Sequence, residues 1–460
     1  MAEDEEREGE GRRDEAVVNA ELIASVREAL EAGDRAALLA QLAPLHAADI
    51  ADLLEHLDDE DRIALIRLWG DDLDPDVLTE LSEGVRNEIV PELTESQLAR
   101  LARELETDDV VYLVEDLDEP EQEKVLEALD DADRVAVEKS LTYPEYSAGR
   151  LMQRELVTAP EHWTVGDVID YMRASDELPE TFYDVIIVDP RMRPVGMVPL
   201  SRIMAHRRDT PLAQLMTRDF HSFRPDQPQE DVAYAFNHYH LITAPVVDEN
   251  GRLVGVITID DAMAVLDEEA EEDILRLAGV GDEEISDSVW ETVRLRFVWL
   301  SVNLATAILA SMVISIFEDS LQAVVALAVL MPIVASMGGN AGTQTLTVAV
   351  RALATRDLTA ANMWRVVGRE ILVGLFNGLA FALIMGLIGG VWFSSLELAL
   401  VLGAAMVINL VAAALAGILI PIALQKAGAD PAIASGTFVT TVTDVVGFFA
   451  FLGLATLVLL

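Results

Sequence analysis

Residues 431–460 read PAIASGTFVTTVTDVVGFFAFLGLATLVLL, an apolar run of 30 residues with a single charge, Asp444, near its midpoint. A bilayer core of about 30 Å is crossed by roughly 20 apolar helical residues, so this run is long enough to span with some tilt. Asp444 then lies near the membrane centre. An ionised carboxylate there costs on the order of 2.5–3.5 kcal/mol even on the mildest scale, so it faces a water-filled path or a polar partner rather than lipid. Thr437, Thr440 and Thr441 stand seven, four and three residues before Asp444, and Gly447 three after it. At helical spacing they make one face small, hydroxylated and acidic. That face reads as a cation path. The competing reading is a protonated Asp444 bonded to a neighbouring helix as packing glue.

Upstream lie four more runs without any charged residue, at 297–317, 320–350, 371–393 and 398–424. Five spans put the two ends of the membrane part on opposite sides. Arg294 and Arg296 precede the first run, Arg351, Arg356, Arg365 and Arg369 separate the second from the third, and Lys426 follows the fourth. The alternate connections carry only Glu318, Asp319 and Glu397. The excess of Arg and Lys on one side sets the preceding half in the cytoplasm and Leu460 outside. Within the second run, Pro332 and the segment Gly338-Gly339-Asn340-Ala341-Gly342-Thr343-Gln344 are expected to interrupt the helix. Such a segment is tolerated in a membrane only against protein or a cavity, so it is placed with Asp444 along the ion path, Asn340 included. Asn377 and Asn409 are expected to make interhelical hydrogen bonds.

Charge divides the chain in the same place. Residues 291–460 hold 7 Lys and Arg against 8 Asp and Glu, whereas residues 1–290 hold 25 against 72. An acidic soluble part is thus joined to a nearly neutral membrane part. Nucleic acid is excluded as a partner, since phosphate binding needs a basic patch. Arg outnumbers Lys by 29 to 3, and adaptation to high salt would produce the same diffuse acidity, so charge alone marks no site. There is no cysteine, hence no disulfide or thiolate metal site. With Lys only at 124, 139 and 426, no Gly-rich Lys loop for nucleotide hydrolysis exists, and no nucleophile constellation suggests an enzyme.

In chain order, residues 1–16 are an acidic polar tail expected to be disordered. Residues 17–143 keep Leu, Ile and Val at helical spacing. A repeat at an offset of 60 aligns Asp49, Ile50, Leu53, Glu55, Leu57 and Asp58 with Asp109, Val110, Leu113, Glu115, Leu117 and Asp118. With a further pair between, this is an all-α superhelix of stacked helical hairpins. The acidic runs 58–61 and 130–133 read as helix starts.

A second repeat, at an offset of 59, aligns residues 187–198, IVDPRMRPVGMV, with 246–257, VVDENGRLVGVI. Each copy is strand, tight turn, strand, preceded by a Leu-Met start (Leu151-Met152; Leu215-Met216) and an amphipathic helix. This resembles a tandem pair of CBS domains over 144–265, with copies at about 148–210 and 211–265 and an α/β fold. The resemblance implies a small-ligand sensor, with ATP the candidate ligand. Thr258 and Asp261 match the nucleotide pattern in the second copy, while the first has Pro199 and Arg202 there. An acidic helix runs between Asp260 and Trp290, with its linking part at 266–292, and a divalent cation would relieve its crowded carboxylates.

The order of these parts resembles the MgtE family of magnesium channels and transporters. Met331-Pro332-Ile333 with residues 338–344, and Asp430-Pro431 followed by Thr440-Thr441-Val442-Thr443-Asp444, look like its two signature segments. The resemblance implies a homodimer in the plasma membrane, its transmembrane domain at 293–460. It implies a central pore with Asp444 as selectivity carboxylate, beside Thr440, Thr441, Gly447 and Asn340. It further implies cytosolic Mg2+ as regulator, closing the pore from sites at Asp260, Asp261, Glu268, Glu271, Glu272 and Asp430. The alternative is a gradient-coupled divalent-cation transporter with Asp444 as the coupling carboxylate.

Overall fold

The computed structural model describes residues 17–115, 117, 119–175, 178–179, 181–280, 289–433 and 435–460. The expected disordered tail, 1–16, lies outside the described residues, as does 281–288 of the linking segment. The chain divides into two compact units, Met1–Asp267 and Glu268–Leu460.

Among the described residues the first unit opens with ten α-helices: α1 (Ala20–Ala32), α2 (Arg35–Leu42), α3 (Ala47–Glu55), α4 (Asp59–Trp69), α5 (Asp76–Thr79), α6 (Glu83–Ile89), α7 (Glu95–Glu104), α8 (Thr107–Glu115), α9 (Glu119–Ala128) and α10 (Asp131–Ser140). The offset-60 repeat appears as the pairs α3–α4 and α8–α9. Acidic residues start the helices, as their runs suggest. Asp58 accepts from the Asp61 amide at 3.1 Å, and Asp130 from Ala132 and Asp133 at 3.0 and 3.1 Å. Both satisfy amides that a helix start leaves without partners. One apolar core runs from Val26 to Val137. Arg62, buried, donates to the Leu54 and Leu57 carbonyls and pairs with Glu88, tying the α3–α4 turn to α6.

The two repeats that follow are built alike. Strands β1 (Thr158–Pro160), β2 (Asp184–Val188) and β3 (Pro194–Pro199) form one sheet, with β1 parallel and β3 antiparallel to β2. Strands β4 (Thr243–Val247) and β5 (Leu253–Thr258) form an antiparallel pair, and Phe223 bridges Val246 in parallel, where β1 would stand. Both hairpins shift register at the same place, Ile187/Val188 and Val246/Val247. In both turns an Asp carboxylate accepts two amides: Asp189 from Arg191 and Arg193, Asp248 from Asn250 and Arg252. The Leu-Met starts have a packing reason. A Cβ at Gly255 would lie 2.8 Å from Met152 Sδ, and one at Gly196 2.8 Å from Met216 Sδ. The amphipathic helices are α11 (Val165–Ala174) and α14 (Gln229–Tyr239), with short α12 (Leu200–Ala205) and α13 (Leu212–Leu215) between them.

The acidic helix α15 (Ile259–Ala278) begins where the sequence starts the acidic run, next to Asp260. Its first turn is closed by Thr258 and Asp261: Thr258 Oγ1 donates to Asp261 Oδ2 at 2.5 Å.

Among the described residues of the second unit five helices are long and apolar enough to cross a membrane: α16 (Val289–Ser315), α18 (Ala326–Ala354), α19 (Met363–Phe393), α20 (Leu396–Lys426) and α21 (Ser435–Leu459), with a short α17 (Glu318–Ala323). Two expectations are corrected. The run 320–350 is split, since its first residues belong to α17. Conversely, Pro332 and residues 338–344 do not break α18, which is helical throughout. A freed backbone group has no water in lipid, so the helix survives a Pro and three Gly that would threaten it in a soluble protein.

Small residues set the packing. Helix α20, the most buried span, meets α19 at the Gly374/Gly378 pair: a Cβ at Gly374 would lie 2.8 Å from Leu410 O, and at Gly378 2.9 Å from Val407 Cα. A Cβ at Gly417 of α20 would lie 2.7 Å from Gly342 O on α18. These are the small-residue contacts by which membrane helices approach closely.

Candidate ion path and carboxylate cluster

Asp444 is the one charge within α21. It is half-buried, while Thr443 and Val439 are fully buried, so the acid stands at the edge of the packed face. Thr440 is exposed and Thr441 half-buried. Each gives its hydroxyl hydrogen to its own helix, Thr440 to Gly436 O at 2.9 Å and Thr441 to Thr437 O at 2.6 Å. What they present outward is therefore an oxygen lone pair, the polarity a cation needs. Thr437 is committed elsewhere, donating to Asn303 Oδ1 of α16 at 2.9 Å.

On α18, Ser336, Asn340, Thr343 and Thr347 are all exposed and share one helix face. Thr343 and Thr347 also bond back to their own helix, at 3.0 Å each. A polar stripe at this depth requires water or a partner rather than lipid. Gly447 is placed differently from its neighbours: it is buried against Asn409 of α20, so it belongs to the packing and not to the exposed face. Asn409 makes the expected interhelical bond, Nδ2 to Val334 O at 2.8 Å. Asn377 is exposed, and among the described residues no interhelical bond from it is found.

Of the expected regulatory residues in the second unit, Glu272 and Asp430 both pair with Arg276, and Asp430 also accepts from the Ala432 amide at 2.7 Å. A guanidinium on the protein itself thus sits between two expected cation ligands. Glu271 is exposed.

In the first unit Asp261 joins carboxylates that the sequence reading did not single out. Asp108 and Asp109 open α8, and Glu106 precedes it. Burial, then Glu155 and Asp109, pushes the Glu106 carboxyl up to about 8. Burial and Asp261 push Asp109 up to about 7. Burial raises Asp261 to about 6 although the Thr258 bond opposes it, and Asp260 adds to the rise. Asp108, 8% exposed, is raised well above the usual range by burial and by Asp261, and its Oδ1 is buried without a hydrogen-bond partner. Glu155 is anchored, accepting from the Thr107 hydroxyl at 2.7 Å and amide at 3.2 Å. Glu106 accepts from Gln153 Nε2 at 2.7 Å. The helical domain and the second repeat therefore meet through like charges. Among the described residues no three acidic or imidazole groups are close enough to chelate a metal directly.

Between the two repeats, a cleft lined by Tyr183, Asp184, Thr243 and Thr258 encloses only 20 Å³, room for about one water.

Family profiles cover these parts. One described as "Divalent cation transporter" matches residues 331–454, one described as "MgtE intracellular N domain" matches 45–146, and one for the CBS domain matches 148–209 and 212–268. The magnesium transporter MgtE of Thermus thermophilus is 36% identical over 445 residues, 95% of this chain and 98% of that protein. The chain belongs to the MgtE family. The Enterococcus faecalis magnesium transporter MgtE is 34% identical over 321 residues, 70% of this chain and 71% of that one. A crystal structure of the cytosolic domain of the Mg2+ channel MgtE in complex with ATP is 32% identical, with a TM-score of 0.50 over 53% of this chain and 99% of that chain. Within this MgtE-family chain, Asn340, Asp430, Thr440, Thr441 and Asp444 fall inside the transporter profile. Glu271, Glu272 and Arg276 fall between the profiles.

Proposed function

We propose that the chain is a magnesium-selective channel of the plasma membrane that works as a homodimer and is closed by cytosolic Mg2+. Its N-terminal domains are cytoplasmic and Leu460 is outside, as the loop arginines require. The observation that carries this reading is Asp444, a half-buried carboxylate in a span without other charge, beside threonine oxygens turned outward. Mg2+ sheds its water reluctantly and prefers octahedral oxygen coordination, so a wide site of carboxylates, hydroxyls and amide oxygens passes it with waters attached. One Asp444 from each of two copies, with Thr440, Thr441 and Asn340, supplies that set. Gly447 serves the packing behind it.

Regulation is assigned to two acidic regions. One is Asp260 and Asp261, extended to Glu106, Asp108, Asp109 and Glu155. The orphaned Asp108 oxygen and the mutual elevation of these carboxyls suit a divalent cation, and the absence of direct chelating geometry suits one that keeps its waters. The other is Glu268, Glu271, Glu272 and Asp430. Each ion must bind the closed state more tightly, or it shifts nothing. ATP is a candidate ligand of the cleft between the repeats, on the analogy of the relative crystallised with it. The cleft must widen to admit it, and Thr258 and Asp261 must release one another.

The test is Mg2+ uptake by liposomes holding the purified protein with no gradient other than Mg2+. Uptake supports a channel, and uptake only with an imposed proton or sodium gradient replaces it by the coupled transporter. Neutralising Glu268, Glu271 and Glu272 together is expected to weaken closure by Mg2+ on the other face. Unchanged closure removes them from the sensor.

A further inference from the structure

Asn409 is 1% exposed, midway along α20, which packs on α18, α19 and α21. Its side chain enters between two glycines on different helices. A Cβ at Gly338 of α18 would overlap Asn409 Nδ2 and come within 2.8 Å of its Cγ; a Cβ at Gly447 of α21 would lie 2.7 Å from Nδ2 and 2.9 Å from Cγ. Gly447 is three residues from Asp444, and Gly338 two from Asn340. One end of the amide is anchored by the bond from Nδ2 to Val334 O at 2.8 Å. The other end, Oδ1, is buried with no hydrogen-bond partner. A buried carbonyl oxygen left unpaired costs on the order of 1–3 kcal/mol. A Leu of similar size would fill the same space without that cost, so packing alone does not account for an amide here.

We propose that Asn409 is a positioning residue for the pore, a wedge whose amide sets the separation and rotation of α18 and α21 and thereby holds Asn340 and Asp444 at the spacing on which ion selection depends. The inference rests on the channel reading above and deepens it. Asn409 is itself buried, whereas Asn340 and Asp444, which it would position, are exposed and half-buried. It acts through the two glycines, and the bond to Val334 fixes its height along α18.

The variants are Gly338→Ala, Gly447→Ala, Asn409→Ala, Asn409→Leu and the double Gly338→Ala/Asn409→Ala, in the full chain in liposomes. Uptake of Mg2+ and of Ca2+ is read separately, and thermal unfolding in detergent gives the contact independently of transport. Native Mg2+ uptake is measured first, so that failure of the channel reading is seen before the wedge is judged. Gly338→Ala and Gly447→Ala are expected to lower Mg2+ uptake on the order of tenfold, the scale of overpacking a tight core. Asn409→Ala in the Gly338→Ala background is expected to restore both melting temperature and uptake. Asn409→Leu keeps the branched four-atom shape and drops the anchor; it is expected to fold and conduct but to discriminate less between Mg2+ and Ca2+. Asn409→Leu with native selectivity overturns the positioning role. A Gly338→Ala chain that melts and conducts like the native one overturns the wedge itself.

Discussion

At the scale of single residues, the arrangement turns on which carboxylates have a counter-charge. Among the described residues Asp444 has no ion pair, and Thr440 and Thr441 stand beside it at helical spacing, whereas Asp430 and Glu272 share Arg276. If Mg2+ closes the protein partly through Asp430, the guanidinium competes with it. Arg276→Gln is therefore expected to lower the Mg2+ concentration that half-closes the protein, by roughly twofold to fivefold for a partly exposed pair. A rise in that concentration would mean that the ion pair itself keeps the pore shut. Asp444 was legible in the sequence because nothing else in its span is charged. Glu106, Asp108, Asp109 and Glu155 were not. Among 80 Asp and Glu, only packing distinguishes a carboxylate that is buried against its like from one that is solvated. Arg276 was hidden for the same reason, since its partner lies 154 residues away.

At the scale of elements, α18 shows where a rule learned from water misleads. Pro332 and the Gly-rich segment read as a break, yet the helix is continuous, and its glycines mark where α20 and α21 press on it. A Cβ at Gly342 would lie 2.5 Å from Val439 Cγ1 of α21. Gly342→Leu is expected to destabilise the membrane unit by about 1–3 kcal/mol or more, the cost of overpacking, read as a lower melting temperature in detergent. An unchanged melting temperature would show that α18 and α21 are not held at this distance. The five spans, the helical N-terminal domain and the paired hairpins were all legible, because charge-free length, helical spacing and an internal repeat each survive without knowledge of contacts. The start of α15 near Asp260 was legible, but the bond between Thr258 and Asp261 that closes its first turn was not, because the pair also matches a ligand motif.

At the scale of the whole molecule, the acidic contact between the helical domain and the second repeat makes stability depend on pH, and on the proposed reading it makes it depend on Mg2+ as well. Glu106, Asp109 and Asp261 hold their protons more tightly folded, at about 8, 7 and 6, than unfolded, near 4.5 and 3.8. Between those limits folding takes up protons. Their contribution is fully favourable below the unfolded values and is lost as pH rises through 6 to 8. In the ion-free protein the melting temperature of the soluble part is expected to fall between pH 6 and pH 8. On the proposed reading Mg2+ supplies the missing positive charge, so it is expected to raise the melting temperature more at pH 8 than at pH 6. An equal rise at both would detach the carboxylate cluster from Mg2+ binding.

The central claim is that Asp444 selects the ion, and it is tested by trapping a magnesium dye in liposomes that hold either the native protein or Asp444→Ala, with Mg2+ as the only gradient. The account requires Mg2+ influx in the native protein that is lost, or no longer prefers Mg2+ over Ca2+, in the variant. Equal and equally selective influx in both would contradict it and move the selecting site off α21.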